Sequence, residues 1–228
     1  MKPDWNLLRQ DLHTRGFATT GPLLRPEECA ELTSLYSRDE LFRSRVVMAR
    51  HGFGLGEYKY FSYPLPSVVQ DLRSSFYEQL APVANDWAKA LRLETRYPAR
   101  HEQMLERCHA AGQGRPTALV LKYGPGDYNC LHQDLYGEHV FPLQATFLLS
   151  RPGLDFEGGE FVLVEQRPRM QSRAEVVPLV QGEAVIFAVH HRPRQGARGV
   201  YRVNMRHGVS TVRAGSRYTM GIIFHDAA

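Results

Sequence analysis

His132 and Asp134, separated by one residue, have the spacing of two metal ligands on one strand. An apolar run at 118–121 comes shortly before them and favours an extended conformation for residues 129–134. Side chains of an extended chain alternate between its two faces, so these two are expected to point the same way. An imidazole and a carboxylate projecting together provide two ligands of a metal site. A third ligand must come from elsewhere in the chain.

A third ligand and a cation are available in the C-terminal part of the chain. His207 lies on a predicted strand, and Arg217 begins another apolar run ten residues later. Two histidines and one carboxylate on one face of an octahedral ion leave three positions open, as in non-haem Fe(II) sites that activate oxygen. The planar fork of an arginine near such an ion suits the far carboxylate of a bound dicarboxylate.

His190 and His191 are the main alternatives to His207 as the third ligand. They follow an apolar predicted strand, and Arg198 stands eight residues after the first of them in a loop rich in Pro and Gly. We favour His207 because Arg217 opens a strand, where rigid backbone can aim the guanidinium into the core.

Hydroxyl groups near these residues are candidates for the same carboxylate. Thr219 stands two residues after Arg217 and is expected on the same face of its strand. Tyr123 lies nine residues before the first histidine, and Tyr128 is a further candidate. Cys130 is expected beside the ligands, as a small buried apolar residue.

Turn signals and apolar runs divide the chain near residue 115. Upstream of this point, amphipathic periodicity and a proline-led helix start predict helices over 4–14, 26–36, 66–93 and 98–111. Pro82 is a possible break in the third helix. Residues 43–64 are predicted to be an irregular aromatic loop, which either packs on the core or closes over a substrate.

Downstream of residue 115 the pattern changes to short β-type runs separated by turn signals. We count eight runs, at 117–123, 128–134, 142–150, 159–165, 174–180, 183–189, 200–208 and 217–225. Such spacing suits a barrel or jelly roll. The sequence therefore predicts an α+β fold in which residues 1–115 form a helical layer on a β core at 116–228.

Composition and charge narrow the class of protein. No apolar run approaches the roughly 18–20 residues of a membrane span, and the N-terminus lacks an apolar signal region, so a cytoplasmic location is expected. Three scattered cysteines suit unpaired thiols in a reducing compartment. Residues 190–228 hold seven arginines and one acid, which suits phosphate or carboxylate ligands, although 24 Arg against 4 Lys overall could reflect genome composition.

Residues 117–225 resemble the Fe(II)/2-oxoglutarate dioxygenases in the order His-x-Asp, His and Arg. The segment from Tyr123-Gly-Pro-Gly-Asp to Leu-His132-Gln-Asp134 is similar to the metal-binding segment of the alkylated-base repair dioxygenases. The C-terminal half departs from that group, because one clear arginine stands at the co-substrate position. The stretches 167–173 and 203–208 look closer to a bacterial family described as acting oxidatively on methylated, damaged DNA.

This resemblance implies a double-stranded β-helix core, Fe(II) as the metal and 2-oxoglutarate with O2 as co-substrates. It implies that a substrate C–H bond is hydroxylated, so that an N-methyl group would be lost as formaldehyde. A base substrate would have to be flipped out or single-stranded. The implied roles are metal ligation by His132, Asp134 and His207, and co-substrate binding by Arg217, Thr219 and Tyr123.

The sequence leaves three functions open. The first is oxidative demethylation of alkylated or single-stranded nucleic acid, whose phosphates would be tracked by basic loops at 167–173 and 192–198. The second is hydroxylation of a peptide, an amino acid or another small molecule, as in the prolyl hydroxylases, which share the single arginine ten residues after the distal histidine. The third is a β-helix protein that binds a metal or an anion without turnover. We favour the first.

Overall fold

Two antiparallel sheets face each other in the computed structural model, which describes residues 3–197 and 199–228. The strands are β1 (Phe17–Pro22), β2 (Phe42–Val47), β3 (Gly54–Leu55), β4 (Glu57–Phe61), β5 (Leu119–Tyr123), β6 (Tyr128–His132), β7 (Leu143–Leu148), β8 (Phe156–Gly158), β9 (Phe161–Gln166), β10 (Arg173–Val177), β11 (Glu183–Ala188), β12 (His191–Gly196), β13 (Gly199–Val209), β14 (Val212–Gly215) and β15 (Arg217–Ile223). The helices are α1 (Trp5–Arg15), α2 (Pro26–Ser34), α3 (Ser67–Ala90) and α4 (His101–Ala110).

The strand order is that of a jelly roll. The larger sheet runs β1-β11-β7-β15-β5-β4-β2, and the smaller runs β10-β9-β13-β6-β3, with β12 paired to β13. All eight strands predicted downstream of residue 115 are present, and the predicted α+β class is confirmed. The short strands β8, β12 and β14 were not predicted.

The N-terminal segment contributes strands to both sheets in addition to the predicted helices. Strands β1, β2 and β4 extend the larger sheet, and β3 pairs with β6 in the smaller one. The prediction of an irregular loop at 43–64 is wrong, because this segment contains β3, β4 and all of β2 except its first residue. Closely spaced glycines precede β4, so the alternating side-chain pattern of this strand is not obvious from the sequence. Tyr58 and Tyr60 of β4 are the register partners of Leu121 and Leu119 of β5. The division at residue 115 remains a proposal.

Two hydrophobic cores share the strands of the larger sheet. Strand β11 is buried along its whole length, as expected for a strand covered on both faces. Ala184 and Ile186 belong to the core under the helices, whereas Val185 and Phe187 belong to the core between the sheets. The helices thus brace one face of the larger sheet and leave its other face to the barrel interior.

Helix α3 lies across the outer face of the larger sheet. Its buried positions recur every three or four residues, which is the stripe expected of a helix with one apolar face. Pro82 does not break it: the helix is continuous, with Leu80, Val83 and Trp87 buried on both sides of the proline. No helix of the described residues is long and apolar enough to cross a membrane.

Candidate active site

Three side chains predicted as metal ligands meet between the two sheets. His132 ends β6 and is the direct register partner of His207 on β13. Asp134 follows β6 by two residues, with Oδ1 3.5 Å from Nε2 of His132 and Oδ2 3.3 Å from Nε2 of His207. One donor atom from each residue lies within 4.8 Å of the other two, so the group could hold a metal ion.

Hydrogen bonds fix the orientation of these donors. Nδ1 of His132 donates to the carbonyl of Cys130 at 2.8 Å, which leaves Nε2 available to a metal. Tyr136 Oη donates to Oδ1 of Asp134 at 2.8 Å, and Gln144 Nε2 donates to Oδ2 at 2.9 Å. The carboxylate is therefore held from both sides.

The ionisation of the cluster suits a cation. Burial alone would raise the pKa of Asp134, but the hydrogen bond from His207 and the charges of His207 and His132 outweigh it and hold that pKa well below its usual range. Burial lowers the pKa of His207. Metals bind an anionic carboxylate and a neutral imidazole, so a bound cation would replace the imidazolium charge that keeps Asp134 ionised.

Arg217 lies in the same cavity as the three donors, in a volume of about 220 Å³. Arg217 is 2% exposed, and neither its Nε nor its Nη1 has a hydrogen-bond partner among the described residues. Burial lowers its pKa to about 10, so it stays protonated at neutral pH. A buried cation without a counter-charge is costly, and the missing partner is expected to be an anion. A buried guanidinium with unpaired donors fits a carboxylate such as that of 2-oxoglutarate.

The other two predicted co-substrate residues line the cavity beside Arg217. Tyr123 is its register partner across β5 and β15, with the guanidinium carbon 5.4 Å from the ring centre. Within residues 3–197 and 199–228, the buried Tyr123 hydroxyl has no partner with good hydrogen-bond geometry, and Asn129 is the side chain near it. Thr219 lines the same space. Gly159 permits this arrangement, since a Cβ there would lie 2.8 Å from Cδ of Arg217.

A family model named Oxygenase-NA, described as an oxygenase catalysing oxidative methylation of damaged DNA, matches residues 56–227. The chain belongs to the Oxygenase-NA family. The predicted resemblance to dioxygenases and to the damaged-DNA family is thereby confirmed, as is the prediction of an enzyme. The predicted cofactors, Fe(II) and 2-oxoglutarate, fit the donor set and the unpaired arginine described above.

Two relatives from Mycobacterium tuberculosis resemble this Oxygenase-NA chain in sequence. They are the uncharacterized proteins Rv2227 (strain ATCC 25618 / H37Rv) and MT2286 (strain CDC 1551 / Oshkosh). Each is 51% identical over 168 residues, which cover 74% of this chain and 72% of the relative.

Solved oxygenase structures share the fold. A Pseudomonas putida prolyl-4-hydroxylase aligns with a TM-score of 0.55 at 15% identity, over 95% of this chain and 96% of its own. A Trichoplax adhaerens prolyl hydroxylase, in complex with a hypoxia inducible factor peptide fragment, aligns with a TM-score of 0.61 at 14% identity. The alignment covers 95% of this chain and 86% of the hydroxylase. The α-ketoglutarate-dependent epimerase SnoN aligns with a TM-score of 0.58 at 15% identity, over 95% of this chain and 80% of its own. These likenesses confirm the predicted jelly-roll core.

An aromatic wall of the cavity was missed by the sequence analysis. Tyr58 and Tyr60 project from β4, with their rings edge to face at 5.4 Å, and Tyr136 continues the wall beside Tyr60. Phe53 stands at the opening, 47% exposed. The alternation of Tyr58 and Tyr60 was the available signal. Part of the aromatic loop therefore faces the cavity and does not only pack on the core.

Several residues weighed in the sequence analysis lie away from this centre. Cys130 is exposed, so the expectation that it is buried beside the ligands is wrong. The register between β6 and β13 shifts between Asn129 and His132, which breaks the alternation of side chains around Cys130. Tyr128 is 37% exposed and does not line the cavity. The rings of His190 and His191 lie 4.2 Å apart at an angle of 49°, and neither lines the cavity.

Three arginines of the predicted basic loops converge on one buried carboxylate, that of Glu165. Arg192 is 1% exposed and donates to Glu165 at 2.5 Å, so it does not lie on an open face. Arg194 and Arg167 also donate to Glu165. Arg198 lies outside the described residues.

Proposed function

We propose that this chain is an Fe(II)- and 2-oxoglutarate-dependent dioxygenase that removes a methyl group oxidatively from an alkylated base of single-stranded or flipped-out DNA. The observation that carries the proposal is the convergence of two imidazoles and a carboxylate with a buried, partly unpaired guanidinium in one cavity. A metal site alone would not need the arginine, and an anion site alone would not need the three donors.

Each residue of the cavity has a place in this proposal. His132, Asp134 and His207 would hold the iron, and Arg217 would bind the far carboxylate of 2-oxoglutarate with help from Tyr123 and Thr219. When bound, iron and 2-oxoglutarate with O2 supply the oxidising power that turns a C–H bond into C–OH, with succinate and CO2 as the other products. The apolar walls of the cavity exclude water from the reacting groups.

A methylated base is the substrate class that we favour. The family description names damaged DNA. The aromatic wall formed by Tyr58, Tyr60 and Tyr136 offers flat surfaces of the kind that hold unstacked bases. Hydroxylation of an N-methyl group gives a carbinolamine, whose N–C bond breaks to release formaldehyde and leave N–H on the base.

Hydroxylation of a peptide or another small molecule is the second candidate. It is favoured by the single arginine at the co-substrate position and by the fold shared with prolyl hydroxylases, one of which was solved with a peptide. A third possibility, a protein that binds metal without turnover, predicts iron and 2-oxoglutarate binding with no product.

The decisive experiment begins with an anaerobic titration of the protein with Fe(II) and 2-oxoglutarate. Succinate and formaldehyde release are then measured with methylated single-stranded oligonucleotides, with unmethylated oligonucleotides of the same sequence, and with free amino acids and proline-containing peptides. Formaldehyde in proportion to succinate, with methylated DNA alone, supports demethylation. Stimulation by peptides or amino acids alone would transfer the proposal to the second candidate, and binding without succinate to the third.

A further inference from the structure

A second cavity, of about 160 Å³, lies at the other end of the barrel from the active site. Along β9, Phe161 lines the active-site cavity, whereas Leu163 and Glu165 line the second one. Along β13, His207 lines the first and Met205 the second. The Leu163–His207 register pair separates the two spaces.

Arginines dominate the polar wall of this second cavity. Glu165 is 7% exposed and accepts from Arg192 at 2.5 Å, from Arg194 at 2.6 Å and from Arg167 at 2.8 Å. Within the described residues these three arginines have no ion pair other than Glu165. One carboxylate therefore accepts from three guanidinium groups, of which Arg192 and Arg194 line the cavity. Among the described residues, this group keeps two positive charges without a protein counter-charge.

The other charged residues of the cavity do not supply the missing negative charge. Arg173 is paired with Glu175 at 3.3 Å. Arg15 lies 3.9 Å from Asp11 and covers the ring of Phe17. Each of these two pairs is neutral, so the uncompensated positive charge belongs to the arginines around Glu165.

Arg192 carries the clearest sign of an absent ligand. Its side chain is 1% exposed, and its buried Nε has no hydrogen-bond partner in the part of the chain that the structure describes. The side chain crosses Gly16 so closely that a Cβ there would lie 2.4 Å from Cδ of Arg192. The left-handed glycine at the end of α1 (φ +82°) thus leaves the space that Cδ and Nε of Arg192 occupy. A buried donor on a positioned guanidinium is typical of an oxyanion site.

We infer that this cavity is a second ligand site, which binds a phosphate-type oxyanion between Arg192 and Arg194. Guanidinium groups recognise phosphate through paired, charge-assisted hydrogen bonds. The volume admits several water-sized groups and therefore a phosphate. Arg15 and Arg173, with side chains 51% and 69% exposed, border the entrance and connect it to solvent. The phosphate would belong to a nucleic-acid backbone or to a free phosphorylated compound.

The test is calorimetric titration of the full-length, metal-free protein with inorganic phosphate, at an ionic strength kept constant with chloride. The wild-type protein is expected to bind phosphate, and Arg194→Gln to bind it at least about tenfold more weakly, because a hydrogen bond from a charged donor is lost. Arg192→Gln is the more severe variant. If Arg192→Gln fails to fold, Arg194→Gln still tests the site, because the Arg194 side chain is 29% exposed and its loss disturbs the core less.

Two further variants make the result specific. Arg202→Gln, on an exposed position of β13, is the matched surface control and is expected to bind phosphate as the wild type does. Arg217→Met is expected to keep phosphate binding as well, because the site lies outside the active-site cavity. The inference is overturned if the wild type binds no phosphate, if Arg194→Gln and Arg192→Gln bind it unchanged, or if Arg217→Met alone abolishes binding.

A single-stranded oligonucleotide distinguishes the two sources of phosphate. If the ligand is a nucleic-acid backbone, Arg194→Gln weakens oligonucleotide binding and inorganic phosphate competes with it. If the ligand is a free compound, oligonucleotide binding is unchanged while phosphate binding is lost. Neither titration requires iron or 2-oxoglutarate, so failure here leaves the proposed oxygenase function standing.

Discussion

The phenol of Tyr136 donates a 2.8 Å hydrogen bond to Oδ1 of Asp134, the carboxylate that lies between His132 and His207. Gln144 holds the other carboxylate oxygen. Metal ligands are commonly oriented by such partners, and loss of one typically weakens metal binding by about 10–100-fold. The Tyr136 hydroxyl thus pre-positions the one anionic donor of the proposed iron site.

We expect Tyr136→Phe to weaken Fe(II) binding by about tenfold or more, because the carboxylate loses a fixed orientation while all three donors remain. Anaerobic titration with Fe(II), or with Mn(II) as a redox-inert substitute, measures the change. Tyr97→Phe is the control, since its hydroxyl donates to the carbonyl of Val140. Equal affinity in both variants would remove Tyr136 from this role.

Arg217→Met is expected to weaken 2-oxoglutarate binding by at least about 30-fold, because a buried charge pair with the co-substrate is lost. Metal affinity is expected to stay unchanged, since no donor of the His132, Asp134 and His207 group is altered. Calorimetric titration of the Mn(II)-loaded protein with 2-oxoglutarate gives the dissociation constant.

Arg213→Met provides the comparison for the co-substrate prediction. This arginine is four residues away, its side chain is 65% exposed, and its one ion-pair contact is with Glu160 at 3.8 Å. Its loss is expected to leave 2-oxoglutarate binding intact. Wild-type affinity in Arg217→Met would place the far carboxylate elsewhere in the cavity.

Local patterns were sufficient to identify the chemistry of the site but not its supporting contacts. The spacing of His132 and Asp134, and of His207 and Arg217, is visible in the sequence because each pair lies on short, nearly continuous stretches. Gln144, on β7 of the larger sheet, reaches Asp134, which follows β6 of the smaller sheet, only because the two sheets face each other across the cavity. A sequence without its strand registers does not contain that contact.

Local signals also misled at particular residues. The glycines at 52, 54 and 56 indicated an irregular loop. In the structure, Gly54 begins β3, which pairs with β6, and Gly56 directly precedes β4, which pairs with β5. Pro82 indicated a helix break, yet packing of the apolar stripe of α3 on the sheet holds the helix together. In both cases tertiary contacts outweighed the local preference.

Arg73→Met is expected to destabilise the fold by about 3–5 kcal/mol, the typical cost of breaking a buried ion pair. Arg73 and Asp226 are both fully buried, and the guanidinium also donates to the carbonyls of Ile223 and His225. Urea denaturation measures the loss. Arg151→Met removes a pair with Asp155 in which the arginine is 56% exposed, and it is expected to change stability little.

His101 is expected to make the fold sensitive to acid. Burial lowers its pKa from 6.5 to about 3, and its Nε2 lies 3.0 Å from the carbonyl of Phe224. The neutral, buried imidazole of His101 contributes its full share to the free energy of unfolding above pH 6.5. As the pH falls towards 3, the unfolded chain takes up a proton that the folded chain refuses, so the free energy of unfolding decreases. His101→Gln should therefore lose less stability over this range than the wild type in urea denaturation. His51→Gln, at an exposed histidine, should follow the wild type, and equal slopes in all three proteins would refute the assignment.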